Sequence, residues 1–271
     1  MTRLAALGCV ATFAWIGAVP GPPNGSPDGG LGAAEIVQRS VTANQHDWEA
    51  APSFDCFERD RTSSKTVTYK LLMIDGSPFL LQLPKSGQPD AAEQKKESKA
   101  VQAEIAHRRA ESAGDRASRI RGYNQERERD RLMLEQLANA FTFSLRGRQT
   151  VNGRSVYVID ATPRPGYSPP NEHARALTGM QGTLWIDTAT FNWVRVTAKV
   201  MHPVSIYGFI ATVEPGTMFD MEKTPIAGNV WQPTHFAQRA NSRILGVISH
   251  SSDEDIRYWH YVKANNGDPL R

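Results

Sequence analysis

The chain has 271 residues, 40% of them apolar and 22% charged, which is the composition of a folded protein able to bury a sizeable core. Its 31 Lys and Arg face 28 Asp and Glu, and the two signs are interleaved through the long charged segment. That excludes the concentrated basic footprint of a nucleic-acid binder.

The N-terminus reads as an export signal. Arg3 precedes the uncharged run LAALGCVATFAWIGAV at residues 4–19, and the Pro/Gly-rich stretch PGPPNGSPDGG follows at once. The run falls short of the ~20 apolar residues that span a bilayer comfortably, although an uncleaved anchor is the competing reading. Cleavage fits after Ala18 or near Ala33 and Ala34. Cys9 follows Ala6, Leu7 and Gly8 in the manner of a lipoprotein box, but too little chain precedes it for a full apolar region. Residues 1–30 are therefore expected to be signal and linker, and residues 31–271 a single periplasmic domain. With the signal removed, Cys56 is the last of the two cysteines and no internal disulfide can form.

Ile36, Val37 and Val41 recur at helical spacing within 31–52. Three strand-like runs follow, SFDCFERD, TVTYKLLMIDG and SPFLLQLP, with Gly76 and Pro78 marking the turn between the last two. Residues 90–137 differ in kind, being dense in Glu, Lys, Arg, Gln and Ala without proline, and predict two long helices broken near Ser112 to Gly114. Their charges read first as a solvated helical face. The alternative is a weakly held lid or a partner-binding arm.

Strands return after Phe141. FTFSLRGRQT and SVYVIDAT flank Asn152-Gly153, a strong hairpin signal, and PRPGYSPPNEHARALTG is too proline-rich to be a strand. IYGFIATV, TMFDMEK, VWQPTHFAQRA, RILGVISH and IRYWHYVKA complete about ten strands. Helices that are inserted rather than alternating with strands predict a mainly β, α+β fold: a large antiparallel sheet curled into an incomplete β-barrel and covered by helices.

The hairpin GMQGTLWIDTATFNWVRVTAKV repays reading face by face. Alternation predicts one shared apolar face of Met180, Gly182, Leu184, Ile186, Val194, Val196, Ala198 and Val200. The parity favours Leu184 opposite Val194, Trp185 opposite Trp193 and Thr183 opposite Arg195, around a short loop at 188–190. The apolar face suits a core or a cavity wall. Trp185, Trp193 and Arg195 would brace the other face or offer a partner surface.

The GxLWID strand, the VRVTAKV return strand and the inserted helices resemble the LolA/LolB-type lipoprotein-carrier superfamily. The segments ATPRPGY and HPVSIYGFIATVEPGT resemble bacterial envelope proteins known as outer-membrane lipoprotein-sorting proteins. The resemblance implies a half-barrel whose apolar interior shelters a lipid or lipoprotein acyl chain in the periplasm, with transient contact at a membrane surface. The 90–137 insertion exceeds what the characterised carriers use. From this chain's own pattern, the expected cavity wall is Leu184, Ile186, Val194, Val196, Phe209, Phe219, Met221 and Phe236.

Catalytic and metal signatures are missing from the sequence. The seven histidines form no HxH, HExxH or Cys/His cluster. Asp253 to Asp255 lack calcium-loop spacing, and there is no GxSxG elbow, phosphate loop or dinucleotide fingerprint. Ser249 and His250 are neighbours on a strand and point to opposite faces, so they cannot pair. No cofactor is expected. Three functions remain: a lipid carrier without enzymatic activity, an envelope protein that docks a partner through the insertion, and, more distantly, an enzyme on a hydrophobic substrate.

Overall fold

The computed structural model describes residues 30–84, 90–206, 211–244 and 248–265. Residues 1–29 of the expected signal and linker at 1–30, Cys9 among them, and Phe209 lie outside the described residues. Helix α1 (Ala33–Ala50) leads into a three-stranded meander, β1 (Phe54–Thr62), β2 (Thr66–Ile74) and β3 (Ser77–Gln82). Helices α2 (Ala91–Ala110) and α3 (Ala113–Ala140) follow, then β4 (Phe141–Val151) and β5 (Arg154–Pro163), with a short α4 (Glu172–Arg175). The rest is strand: β6 (Met180–Asp187), β7 (Trp193–Val200), β8 (Val204–Ile206), β9 (Ala211–Val213), β10 (Met218–Ala227), β11 (Val230–Ile244) and β12 (Ile248–Lys263).

The 12 strands of the described residues join one sheet in the order β3-β2-β1-β12-β11-β10-β7-β6-β5-β4, with β9 pairing the far end of β11 and β8 pairing β9. Every pairing along this path is antiparallel and the sheet does not close, so the fold is an open, curled α+β sheet with helices packed on it. RILGVISH, expected as one strand, is instead split between the end of β11 and the start of β12, which form a long hairpin. The first and last strands of the domain, β1 and β12, lie side by side in mid-sheet.

One strip of the sheet explains the core. Leu145, Ile159, Leu184, Val196, Met221, Phe236 and Ile256 are opposite one another in register from β4 to β12, an apolar row seven strands wide. Ile36, Val37 and Val41 of α1, with Met133, Leu134 and Leu137 of α3, pack on its β4 to β7 end. Burying such side chains contributes roughly 1.5–3 kcal/mol each, which ties the helices to this face.

Polar contacts fix where the helices sit. Asp47, nearly at the end of α1, accepts from Lys223 Nζ (2.6 Å) and Trp231 N (2.8 Å), while its carbonyl accepts from Gln232 Nε2 (3.0 Å). Asn192, its amide oriented to donate to Asp47 (3.1 Å), accepts from Trp231 Nε1 (2.9 Å). Burial lowers the Lys223 pKa against the pull of Asp47, so the pair survives on geometry rather than on solvation.

The insertion is anchored rather than loose. Asp90 and Glu93 close a reciprocal N-cap on α2, and Ser112 caps α3 through Asp115 N (3.1 Å), which sets the helix break at Glu111 and Ser112. Val101 and Ile105 of α2 pack on Leu72, Ile74, Phe79 and Leu81. Arg108, 4% exposed, donates to the carbonyls of Ile74, Ser77 (2.8 Å) and Pro78 (3.1 Å). Arg116 and Arg119 hold Asp75 in the same β2–β3 turn. A helix pinned by so many charge-assisted bonds does not open cheaply.

Candidate functional site: a trough across the sheet

The hairpin register differs from the expected one by two residues and one bulge. Thr183 pairs with Thr197, Leu184 with Val196, Trp185 with Arg195, and Ile186 with Trp193. Asp187 is the cause. Its Oδ1 accepts from Ala189 N (3.0 Å), Thr190 N (2.9 Å) and Thr190 Oγ1 (3.1 Å), building a turn longer than the pattern suggests. Phe191 completes it at φ 61°, its ring held between Tyr157 and the Arg39 guanidinium. The bulge turns Trp193 toward the helix-covered core and Val194 to the other side.

The two tryptophans therefore do not pair. Trp185 instead has the Arg195 guanidinium 5.5 Å from its ring centre, on the side where Val194 packs with Val156, Val158 and Trp231. Of the expected cavity wall, Leu184, Val196, Met221 and Phe236 do share one row. Ile186 and Phe219 join the same core, Phe219 stacks with Phe236 at 6.4 Å between ring centres, and Phe219 also borders the trough. Leu184, Ile186 and Val196 are only 7%, 0% and 9% exposed, so helices already fill that part of the face; Phe219, Met221 and Phe236 are half-buried.

The large concavity lies on the opposite face. One residue along each strand from the apolar row runs a second row of register partners: Ser144, Asp160, Thr183, Thr197, Asp220, Ala237, Asp255, Arg61 and Thr66, across nine strands from β4 to β2. Beside it run Gln181, Lys199, Met218, Arg239 and Asp253. These two rows border an open trough of about 1040 Å³ reaching from Arg146 of β4 to Arg61 of β1. A strongly twisted sheet is saddle-shaped, so each face is hollow along one diagonal. Alternation thus gives the helices an apolar face and solvent a polar hollow.

The trough is amphipathic. Met218, 46% exposed, Ala237 and the methyl groups of Thr183 and Thr197 supply an apolar strip. Three of its carboxylates are held by neighbouring donors. Asp160 receives Arg146 and the Thr183 hydroxyl (2.9 Å), Asp220 receives Arg195 (2.9 Å) and Asp253 receives Arg239 (2.8 Å). Donating hydrogen bonds to Asp220 and Asp253 raises the Arg195 and Arg239 pKa values above their ordinary value. Lys199 stands exposed on the same face.

Cys56 is a free, buried thiol pushed up to about 12 by burial and by the nearby Glu58 and Asp55 carboxylates. Among the described residues, no group of three or more His, Cys, Asp and Glu is arranged to hold a metal ion. The signal that sequence reading passed over was the polar alternate positions of the same strands, which look like ordinary solvent-facing residues until the register lines them up.

No family model matches the chain and no curated protein matches it. Among solved structures it is similar to a DUF1329 family protein from Desulfovibrio piger, with 10% identity, 86% of this chain and 93% of that chain covered, and a TM-score of 0.35. It is similar to a LolA superfamily protein from Nitrosomonas europaea at 10% identity, 86% and 93% coverage and a TM-score of 0.32. It is also similar to a chain of the MucA/MucB complex of Pseudomonas aeruginosa at 11% identity, 88% and 96% coverage and a TM-score of 0.25. Likenesses at these scores carry no functional conclusion, which rests on the geometry of the trough.

Proposed function

We propose that the protein is an exported binding protein of the periplasm that carries an amphiphilic ligand, a lipid or an acyl-bearing molecule, in the open trough. The observation that carries this reading is the trough itself. Its volume of about 1040 Å³ reaches the upper end of the roughly 300–1,000 Å³ typical of ligand sites, and it combines an apolar strip with charged rims. The engagement of Asp160, Asp220 and Asp253 by arginines makes these three carboxylates poor general bases, because a general base needs a carboxylate free to take a proton. Among the described residues no helix is long and apolar enough to cross a membrane.

Ala237 lies mid-trough, and Ala237→Trp should obstruct it without touching the helix-covered core. Native mass spectrometry after gentle purification from the envelope should find a lipid-sized adduct on the parent protein and an empty A237W. An adduct retained by a folded A237W would sink the reading.

A second reading, docking of an envelope partner through the insertion, is favoured by the way Arg108, Arg116 and Arg119 fix α2 and α3 to the sheet. Removing residues 90–137 does not test it, because Met133, Leu134 and Leu137 belong to the core. Reversing the exposed charges Lys95 and Lys99 on α2 does: partner capture from envelope extracts should fall while the ligand adduct stays. Capture unchanged by K95E/K99E would remove this reading.

A further inference from the structure

We infer that Arg59, Arg61 and Arg257 form a binding site for a phosphate-class oxyanion at the β1 end of the trough. The inference rests on the trough reading only for what the rest of the ligand is, and names its charged end.

Register makes the arrangement unusual. Arg59 of β1 lies directly opposite Arg257 of β12, and Arg257 directly opposite His235 of β11; Arg61 follows Arg59 by one step on the same face. Like charges directly opposite in neighbouring strands destabilise a sheet. Together with Thr66 and Asp255, the three arginines enclose a hollow of about 360 Å³ adjoining the trough, which shares Arg61 and Asp255 with it.

Neutralisation is incomplete. Among the described residues Asp255 is the one carboxylate bordering the hollow, and it is divided among Arg61 (3.9 Å), Arg257 (3.8 Å) and His235 (3.2 Å). Both arginine distances exceed the roughly 2.7–2.9 Å of a charge-assisted hydrogen bond. Elsewhere on this face each of Arg146, Arg195 and Arg239 grips a carboxylate of its own. Glu58 and Asp60 of β1 alternate to the other face, and Glu222, opposite His235, lies beside Arg195.

The surroundings suit a ligand rather than bare solvent. Trp259, 41% exposed, stacks on Phe57 at 5.7 Å between centres, with the Arg59 guanidinium 5.9 Å from its ring centre. Left-handed His260, at φ 55°, makes the β12 bulge next to this pair. The result is an aromatic pair packed beside Arg59, one of three forked donors of a kind that binds phosphate oxygens well. A bound dianion would relieve the repulsion that the sheet otherwise carries.

The test titrates the purified protein with inorganic phosphate at low salt by calorimetry. In parallel it floats the protein with phosphatidylcholine vesicles, with and without phosphatidylglycerol. Phosphate should bind, and Arg59→Gln with Arg257→Gln should weaken it about tenfold or more, equivalent to about 1.4 kcal/mol. The double variant should fold at least as well as the parent, since it removes a like-charge pair; Arg61→Gln, made singly, carries the test should it fail to fold. Flotation that requires phosphatidylglycerol and is competed by phosphate identifies a lipid headgroup. Phosphate binding without flotation identifies a soluble phosphorylated compound, and both outcomes uphold the site. No phosphate binding by the parent, or equal binding by the variants, would overturn it. Phosphate binding alongside a retained adduct in A237W would leave this site standing and remove the trough reading alone.

Discussion

The two faces of the sheet are built from neighbouring residues yet serve opposite ends. Ile159, Leu184 and Val196 lie under helices, whereas Asp160, Thr183 and Thr197, each one step along the chain, line an open hollow. The contrast shows that the period of two, once the register is known, decides which residues hold the fold and which are free to meet a ligand. Substitutions on the first face should unfold the protein; those on the second should leave it folded and change what it binds.

The strongest break in that comparison is Asp47→Ala. It removes the group joining α1 to β10 and β11 and leaves Lys223 buried without its charge partner. Breaking such a pair costs about 3–5 kcal/mol, read as a lower midpoint in urea unfolding. An unchanged midpoint would mean that α1 is not what secures the apolar face.

Next is a pH effect centred on Glu58, which is 3% exposed and on the same face as Tyr258. Burial, then repulsion from Asp60 and Glu254, raises its pKa from 4.5 to about 7. Because the folded pKa lies above the unfolded one, the folded state holds the proton more tightly. This contribution is therefore full below about 4.5 and is lost as pH rises through about 7, a change on the order of 3 kcal/mol. The difference in stability between parent and Glu58→Gln should vary over that window, with the parent losing ground as pH rises. A pH-independent difference would contradict the assignment.

Adjacent residues give the sharpest comparison. Val196→Ala should cost about 2 kcal/mol, from lost burial and the cavity it leaves. Thr197→Ala, one residue on, should cost less than about 1 kcal/mol, because it trims the wall of an open trough. Equal losses would mean that the two faces are not distinct. Smallest of all, Arg146→Ala removes a half-exposed ion pair to Asp160 and should change stability by less than about 1 kcal/mol.

Much of the fold was legible in the residues themselves. The Asn152-Gly153 turn adopts left-handed angles at both positions, φ 50° and 77°, as its composition demands. The Asp90 and Ser112 caps sit where the helix pattern begins and breaks. The apolar alternation of β6 and β7 put Leu184, Ile186 and Val196 on one face, and the three do pack into one cluster.

What failed were features that no local pattern encodes. The side-chain bonds of Asp187 lengthened a turn, and that single change moved Val194 and Trp193 to unexpected sides. Of the apolar residues expected to line a hollow, Leu184, Ile186 and Val196 lie under helices and Phe219 borders the trough, whose other lining is largely polar. The arginine cluster joins residues 59 and 61 to residue 257, which meet only because β1 and β12 pair across nearly the whole chain. Such pairing between distant segments is invisible to alternation alone.

Site-specific photocrosslinking tests the ligand's position most directly. Benzoylphenylalanine placed at Thr197 reports the trough, and the same probe at Met221 reports the half-buried end of the helix-facing row. After irradiation in the cell envelope, a lipid-sized adduct should form at position 197 and not at 221. Adducts at 221 alone would place the ligand under the helices and contradict the assignment of binding to the polar face.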